Sequence, residues 1–411
     1  MSKFNDHHRN SGETTFQGAP VIPLNWKGRE WAAVQGALVF RTSANRELSF
    51  IETKTALEMN VRALRQPDEL GVGIIVTDER LDLQTLRDAT NKMGADLLWA
   101  EPVLLDYGSK SPNDLIFPSQ WGLPIIKAVA GWDAWHGDPS TVVLAVLDSG
   151  VPLQGGNLCH PDLNDPGRFL LGADVYNQDN DPADDNGHGT HVVGIAAATR
   201  NNGQGIAGLW PGNVLVVKVF NSENVGANTT FYDGTKAAVK FANDHQQRLI
   251  INYSGGGPDS DCKRTAVEYA RDNGALIVAA GGNDQRTPVD FPAAFSTQYP
   301  HVIGVGGINE ARQAFGSQGE EITVVAPGAQ IASTLPNYEV TLNDGSKSYG
   351  FLSGTSQATP LVAGLAALVW SQWPSLDARE VRNKIIQSAD PLPGPIKAFG
   401  HGMIDVEAAL S

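Results

Sequence analysis

Six stretches of this chain are apolar almost without interruption: TVVLAVLD (141–148), NVLVVKVF (213–220), RLIINYS (248–254), ALIVAAGG (275–282), HVIGVGG (301–307) and ITVVAPG (322–328). A strand with one wet face alternates polar and apolar residues. Runs without alternation belong to strands covered on both faces, as in a parallel sheet. Helical patterns lie between them, in HGTHVVGIAAATR, TKAAVKFANDHQQ, CKRTAVEYARDNG and SQATPLVAGLAALVWSQW. Strand–helix alternation of this kind predicts an α/β domain with a doubly wound, mostly parallel sheet, whose site lies at the carboxyl ends of the strands.

The pattern starts only near residue 115, and 411 residues are more than one ordinary domain needs. Residues 1–20 read as a polar tail. Residues 21–110 read as a small α+β unit. Within it QGALVF (35–40), GVGIIVTD (71–78) and ADLLWAEPVLL (95–105) are expected strands, and TKTALEMNVRAL (53–64) and LDLQTLRDATNKMG (81–94) expected helices. That order suggests a split βαβ, ferredoxin-like sandwich. YGSKSPND (107–114), rich in turn formers, marks the boundary, and 111–411 form the large domain.

Composition narrows the functions. A formal net charge of −15 argues against a nucleic-acid partner and is compatible with bound cations. No apolar run is long enough to span a membrane, and the N-terminus holds no apolar h-region. The expectation is a protein working inside the cell, or one whose leader lies outside this sequence. Two cysteines, Cys159 and Cys262, are no disulfide framework; one bridge and two free thiols are both compatible with the spacing.

Three segments carry groups that could act together. Asp148 closes an apolar strand and is followed by Ser149-Gly150. His188 sits between two glycines in NGHGTHVVG, before a helix rich in small residues. Ser356, in SGTSQATP, opens another helix, whose N-terminus favours developing negative charge. Taken singly, Asp148 reads as a turn residue and Ser356 as an N-cap. His188 with His191 offers a zinc pair at i, i+3, but the Glu of H-E-x-x-H is missing, so His191 is expected to pack inside its helix. Together they supply a hydroxyl, an imidazole to take its proton and a carboxylate to orient the imidazole. No G-x-G-x-x-G follows the first large-domain strand, which disfavours a dinucleotide-binding protein, and no G-x-S-x-G elbow is present.

VLDSGV, NGHGTHVVG and SGTSQATP resemble the three signature segments of the subtilisin-like serine protease family, nearest its thermitase-like branch. The similarity runs from about Asn113 through the closing GHGMIDVEAAL. It implies a serine endopeptidase acting on polypeptides, with Asp148, His188 and Ser356 as triad. VAAGGND (278–284) is similar to the segment carrying the oxyanion-hole amide, here Asn283. Ser254, Gly255 and Gly256, in NYSGGGP, look like the strand that pairs with substrate, and Gly226 like the strand opposite; the family more often carries a side chain at Gly255, so this wall is expected to be barer. The resemblance places Asp290 at the floor of the specificity pocket, where a carboxylate would favour Lys or Arg before the cleaved bond. It implies calcium: at Asp114, Asp162, Asn202 and the carbonyls of Thr199, Gln204 and Ile206, and in a second loop at Asp174, Asn177, Asp179 and Asp181, which otherwise reads as a solvated acidic loop. It further implies that residues 21–110 are a pro-domain, a folding aid and intramolecular inhibitor cut off near residue 110. A silent binding protein kept shut by an uncut pro-region is the rival reading.

Overall fold

The computed structural model of the protein describes residues 15–16, 19–26, 29–42, 61–65, 72–77, 88, 97–104, 111–165 and 167–411. The chain divides into two compact units, Met1–Gly108 and Ser109–Ser411. The expected boundary at 110 thus falls two residues beyond the division.

In the first unit the strands are β1 (Thr15–Phe16), β2 (Ala19–Trp26), β3 (Arg29–Thr42), β4 (Val61–Arg65), β5 (Val72–Thr77) and β6 (Leu97–Leu104). They form one antiparallel sheet in the order β1-β2-β3-β5-β4, with β6 also on β3. The three expected strands are present. The helix expected over 53–64 is not what its last residues form: Val61–Leu64 belong to β4, which pairs with β5. Here pairing to a neighbouring strand outweighs the local helical spacing. Residues 53–60 lie outside the described residues, as does the helix expected over 81–94 apart from Asp88, which is helical.

The second unit is built on an eight-stranded sheet. Its strands are β7 (Val142–Asp148), β8 (Phe169–Asp174), β9 (Asn213–Lys218), β10 (Arg248–Tyr253), β11 (Leu276–Ala280), β12 (Val302–Ile308), β13 (Ala314–Phe315) and β14 (Val324–Pro327). The order is β8-β9-β7-β10-β11-β12-β13, with β14 on the other part of β12. Every pairing is parallel except β12 with β13. All residues of β7, β11 and β12 are buried, as the unbroken apolar runs require. The chain's first strand in this sheet ends at its centre, so Asp148 and the residues after Tyr253 and Ala280 emerge side by side at the carboxyl edge.

Five helices of ten residues or more lie in this unit: α1 (His188–Ala197), α2 (Asn228–His245), α3 (Asp261–Asp272), α4 (Thr355–Gln372) and α5 (Ala378–Ser388). Helix α4 is buried along almost its whole length and packs against α1 and the central strands. Helix α2 begins seven residues before the expected pattern, and the Thr230 hydroxyl meets the free Ala227 N–H at 3.0 Å to fasten that start. Phe231 of α2 is fully buried, its ring 4.6 Å from that of Tyr253 at the end of β10. Truncating it opens a cavity under the cleft. Phe231→Ala, made in an inactive Ser356→Ala background, is expected to cost about 3–5 kcal/mol in a denaturant titration; a loss below about 1 kcal/mol would mean that the site collapses to fill the space.

Candidate active site

Asp148 is completely buried at the end of β7, and His188 is the first residue of α1. Their separation is set by backbone. A side chain at Gly189 would strike the Gly150 nitrogen and oxygen, at 2.6 and 2.5 Å, so α1 seats directly on the turn after Asp148 only because Gly189 is bare. Gly187, at φ +105°, supplies the left-handed entry to the helix. His188 Nδ1 consequently lies 2.7 Å from Asp148 Oδ1. The same oxygen accepts the Ser149 N–H at 2.8 Å.

A second buried carboxylate holds this arrangement. Asp184 Oδ1 accepts from the Ser149 hydroxyl and from the Asn186 and Gly187 N–H groups, and Oδ2 from the Thr190 N–H and hydroxyl. Asp184 therefore caps α1 and ties it to the residue next to Asp148. Burial alone lowers the basicity of the His188 imidazole. The Asp148 carboxylate, by charge and hydrogen bond, and then Asp184 outweigh this and raise its pKa above the ordinary value. His191, one turn on, is wholly buried and pushed down to about 3, by burial first and by His188 second.

Ser356 is the second residue of α4, not its cap; Gly354 stands at that position. The Ser356 hydroxyl donates to the Ser254 carbonyl at 2.9 Å rather than to His188, and the Ser254 hydroxyl returns a bond to the Ser356 carbonyl at 2.9 Å. Asn283 is exposed at the end of the β11 segment. Its side-chain oxygen accepts the Thr355 N–H at 2.9 Å, which satisfies an orphan donor of α4 and turns the amide NH2 away.

Residues 254–256 and 281–283 run on either side of Asp290. Beside Gly255 the Phe220 ring occupies the space, with Cζ 2.5 Å from where a Cβ would stand. A Cβ on Gly256 would meet Asp290 Cβ at 2.5 Å, and one on Gly282 would collide with Asp290 Oδ2. Burial raises the Asp290 carboxyl's pKa, against the opposing pull of Arg286 and Lys263. Gly226 is exposed in the loop before α2.

The expected calcium ligands fall in two places. Asp114 and Asp162 are both buried beside the loop 199–206. Asp114 accepts the Asn201 and Asn202 N–H groups; Asp162 accepts the Asn202 side-chain amide and the Ile206 N–H. Burial raises the pKa of Asp114, with some repulsion from Asp162. Asp174, Asn177, Asp179 and Asp181 largely satisfy each other: both Asp174 oxygens bond Asn177, and Asp179 takes the Asp181 N–H. Among the described residues no group of three or more His, Cys, Asp or Glu side chains could hold a metal, and both cysteines are free.

The sequence reading missed Ser149, Asp184, Phe220 and Thr355. Ser149 and Thr355 adjoin singled-out residues and could have been found. Asp184 reads as one more acid in an acidic loop.

An open, mostly parallel sheet with helices packed on it, and its cleft at the strands' carboxyl edge, defines an α/β protein of the doubly wound class. The profile of the subtilase family matches residues 140–402. The chain is 35% identical to thermitase of Thermoactinomyces vulgaris over 304 residues, which is 73% of this chain and 99% of the relative. It is 36% identical to a thermophilic serine proteinase of Bacillus sp. (strain AK1) over 76% of this chain and 72% of that one. Against a subtilisin of Bacillus pumilus the identity is 37%, over 70% and 98%. The chain belongs to the subtilase family, and it is a subtilisin-like serine endopeptidase.

The His188 imidazole gives a direct check on this geometry. In Ser356→Ala protein its NMR titration is expected to have a midpoint above the ordinary 6.5 or so. Asp148→Asn removes the raising charge and leaves the burial, so the midpoint should then fall below that value. An unmoved midpoint would contradict the pairing.

Proposed function

We propose that the chain hydrolyses peptide bonds through Asp148, His188 and Ser356 by way of an acyl-enzyme. The observation that carries this reading is the buried 2.7 Å contact of His188 Nδ1 with Asp148. It fixes the proton on Nδ1 and leaves Nε2 free to accept. As the Ser356 oxygen attacks the scissile carbonyl, its proton passes to Nε2, and Asp148 stabilises the imidazolium. The oxyanion is met by the Ser356 N–H at the start of α4 and by the Asn283 amide, a donor of the kind whose loss costs about 2.7–4 kcal/mol. The imidazolium then protonates the leaving amine, and water, activated by the neutral imidazole, frees the acyl group. Ser254, Gly255 and Gly256 pair with the extended substrate by strand addition, with Gly226 opposite.

The specificity proposed is Lys or Arg before the cleaved bond. Its support is Asp290, a half-buried carboxylate between residues 254–256 and 281–283 with no ion pair among the described residues. Residues 21–110 are proposed to be an inhibitory pro-domain removed by self-cleavage after Lys110. The strand order β6-β3-β5-β4, with every neighbouring pair antiparallel, supports a split βαβ unit.

Calcium is proposed at Asp114, Asp162, Asn202 and the Thr199, Gln204 and Ile206 carbonyls. The support is physical: two buried carboxylates share a loop and pair with no Lys or Arg among the described residues. A calcium ion there would offset their repulsion and tie the loop to the chain near Asp114. The Asp174 cluster is left out of this set because its members already bond one another.

Two measurements test these proposals. Intact mass and N-terminal sequencing of the purified protein should show cleavage near residue 110 in the wild type and none in Ser356→Ala. If both stay whole while a fluorophosphonate still labels Ser356, the self-processing claim falls and the triad survives. Chelation should lower the melting temperature of the Ser356→Ala protein by several degrees, and Asp162→Ala should abolish that response; an equal response in both would remove the calcium assignment.

A further inference from the structure

Lys263 stands in the first turn of α3, on the face that Ala266, Val267 and Ala270 also bury, and it is only 5% exposed. Its ammonium reaches back under the cleft, donating to the Pro258 carbonyl at 3.1 Å and the Phe291 carbonyl at 3.2 Å. Those carbonyls belong to two segments of the chain, Pro258 just after 254–256 and Phe291 next to Asp290. The same segments exchange backbone bonds between Gly257 and Phe291, at 3.2 and 2.9 Å. The ammonium also lies 3.1 Å from where a Cβ on Gly257 would stand. Its two carbonyl partners are neutral, and it makes no direct ion pair with Asp290 among the described residues. Burial lowers the Lys263 pKa, and Asp290 is the first of the charges that oppose this. A buried charge needs a counter-charge. Asp290, next to the Phe291 whose carbonyl takes the ammonium, supplies the largest opposing charge, ahead of Asp259.

We propose that Lys263 is a specificity-determining residue, a resident cation that clamps the pocket floor and offsets part of the Asp290 charge, so that a carboxylate–ammonium pair sets the preference for basic substrates. This rests on the reading of Asp290 as the pocket floor. An incoming Lys or Arg side chain meets a field already reduced by Lys263. An apolar side chain is indifferent to it. Removing the resident charge should therefore raise discrimination, not lower it.

The test compares kcat/KM for two fluorogenic peptides that differ only in Lys or norleucine before the cleaved bond, at pH 8, with the mature wild-type enzyme and variants. A ratio within one enzyme preparation cancels any loss of active fraction. Lys263→Met should raise the Lys:norleucine ratio about three- to tenfold, the order expected for one unit charge acting a few ångströms away in partly screened surroundings. Lys263→Arg should leave it near wild type. If Lys263→Met does not fold, Lys263→Gln serves in its place. Asp290→Asn should abolish the preference, and adding Lys263→Met to it should raise the Lys:norleucine ratio by a comparable factor, because the repulsion it relieves acts directly on the incoming cation. Should Asp290→Asn abolish the preference while Lys263→Met leaves the ratio unchanged or lowers it, Lys263 has no such role and the Asp290 reading stands. A ratio unmoved by Asp290→Asn would sink the pocket reading itself, and the inference with it.

Discussion

The approach of Gly189 to Gly150 governs the geometry of this cleft. Two backbones meet with no side chain between them, and a helix can then start where a strand ends. Without that contact the Asp148 carboxylate and the His188 ring would each still be buried, but not with each other. Burial makes the pairing consequential, because a charge removed from water interacts strongly with its partner. Asp184 extends the same logic by one shell. Five donors from Ser149, Asn186, Gly187 and Thr190 converge on it, so the entry to α1 and the turn after β7 move as one piece.

The opposite wall follows another rule. The segment after β10 is tied to the start of α4, since Ser254 exchanges two hydrogen bonds with Ser356. Asn283 joins the same helix start, its side-chain oxygen accepting the Thr355 N–H. In the proposed mechanism the Ser356 hydroxyl must leave the Ser254 carbonyl before its proton can pass to His188, whereas the Asn283 oxygen keeps its bond to the Thr355 N–H throughout. The acidic surface of the chain, at −15, adds a field that draws cationic segments toward it.

Much of this was legible in the residues. Unbroken apolar runs gave six of the eight strands of the large sheet, because double burial leaves no polar position. Asp148, His188 and Ser356 were legible because each stands at a strand end or helix start within a distinctive segment. What was not legible depends on distant parts meeting. Phe220 fills the room beside Gly255, which glycine spacing could not foretell. Val61–Arg65 is drawn into a strand by β5. The carbonyls that hold the Lys263 ammonium come together only when the chain through Phe291 folds over it.

Every residue of β7 is buried, and it is hydrogen-bonded to β9 on one side and β10 on the other. Asp148 is its last residue and has no freedom that the sheet lacks. Amide protons along Val143–Leu147 should accordingly exchange with solvent only when the whole domain opens. The Asp148 carboxylate is thus anchored to a strand expected to exchange slowly, whatever the loops around it do.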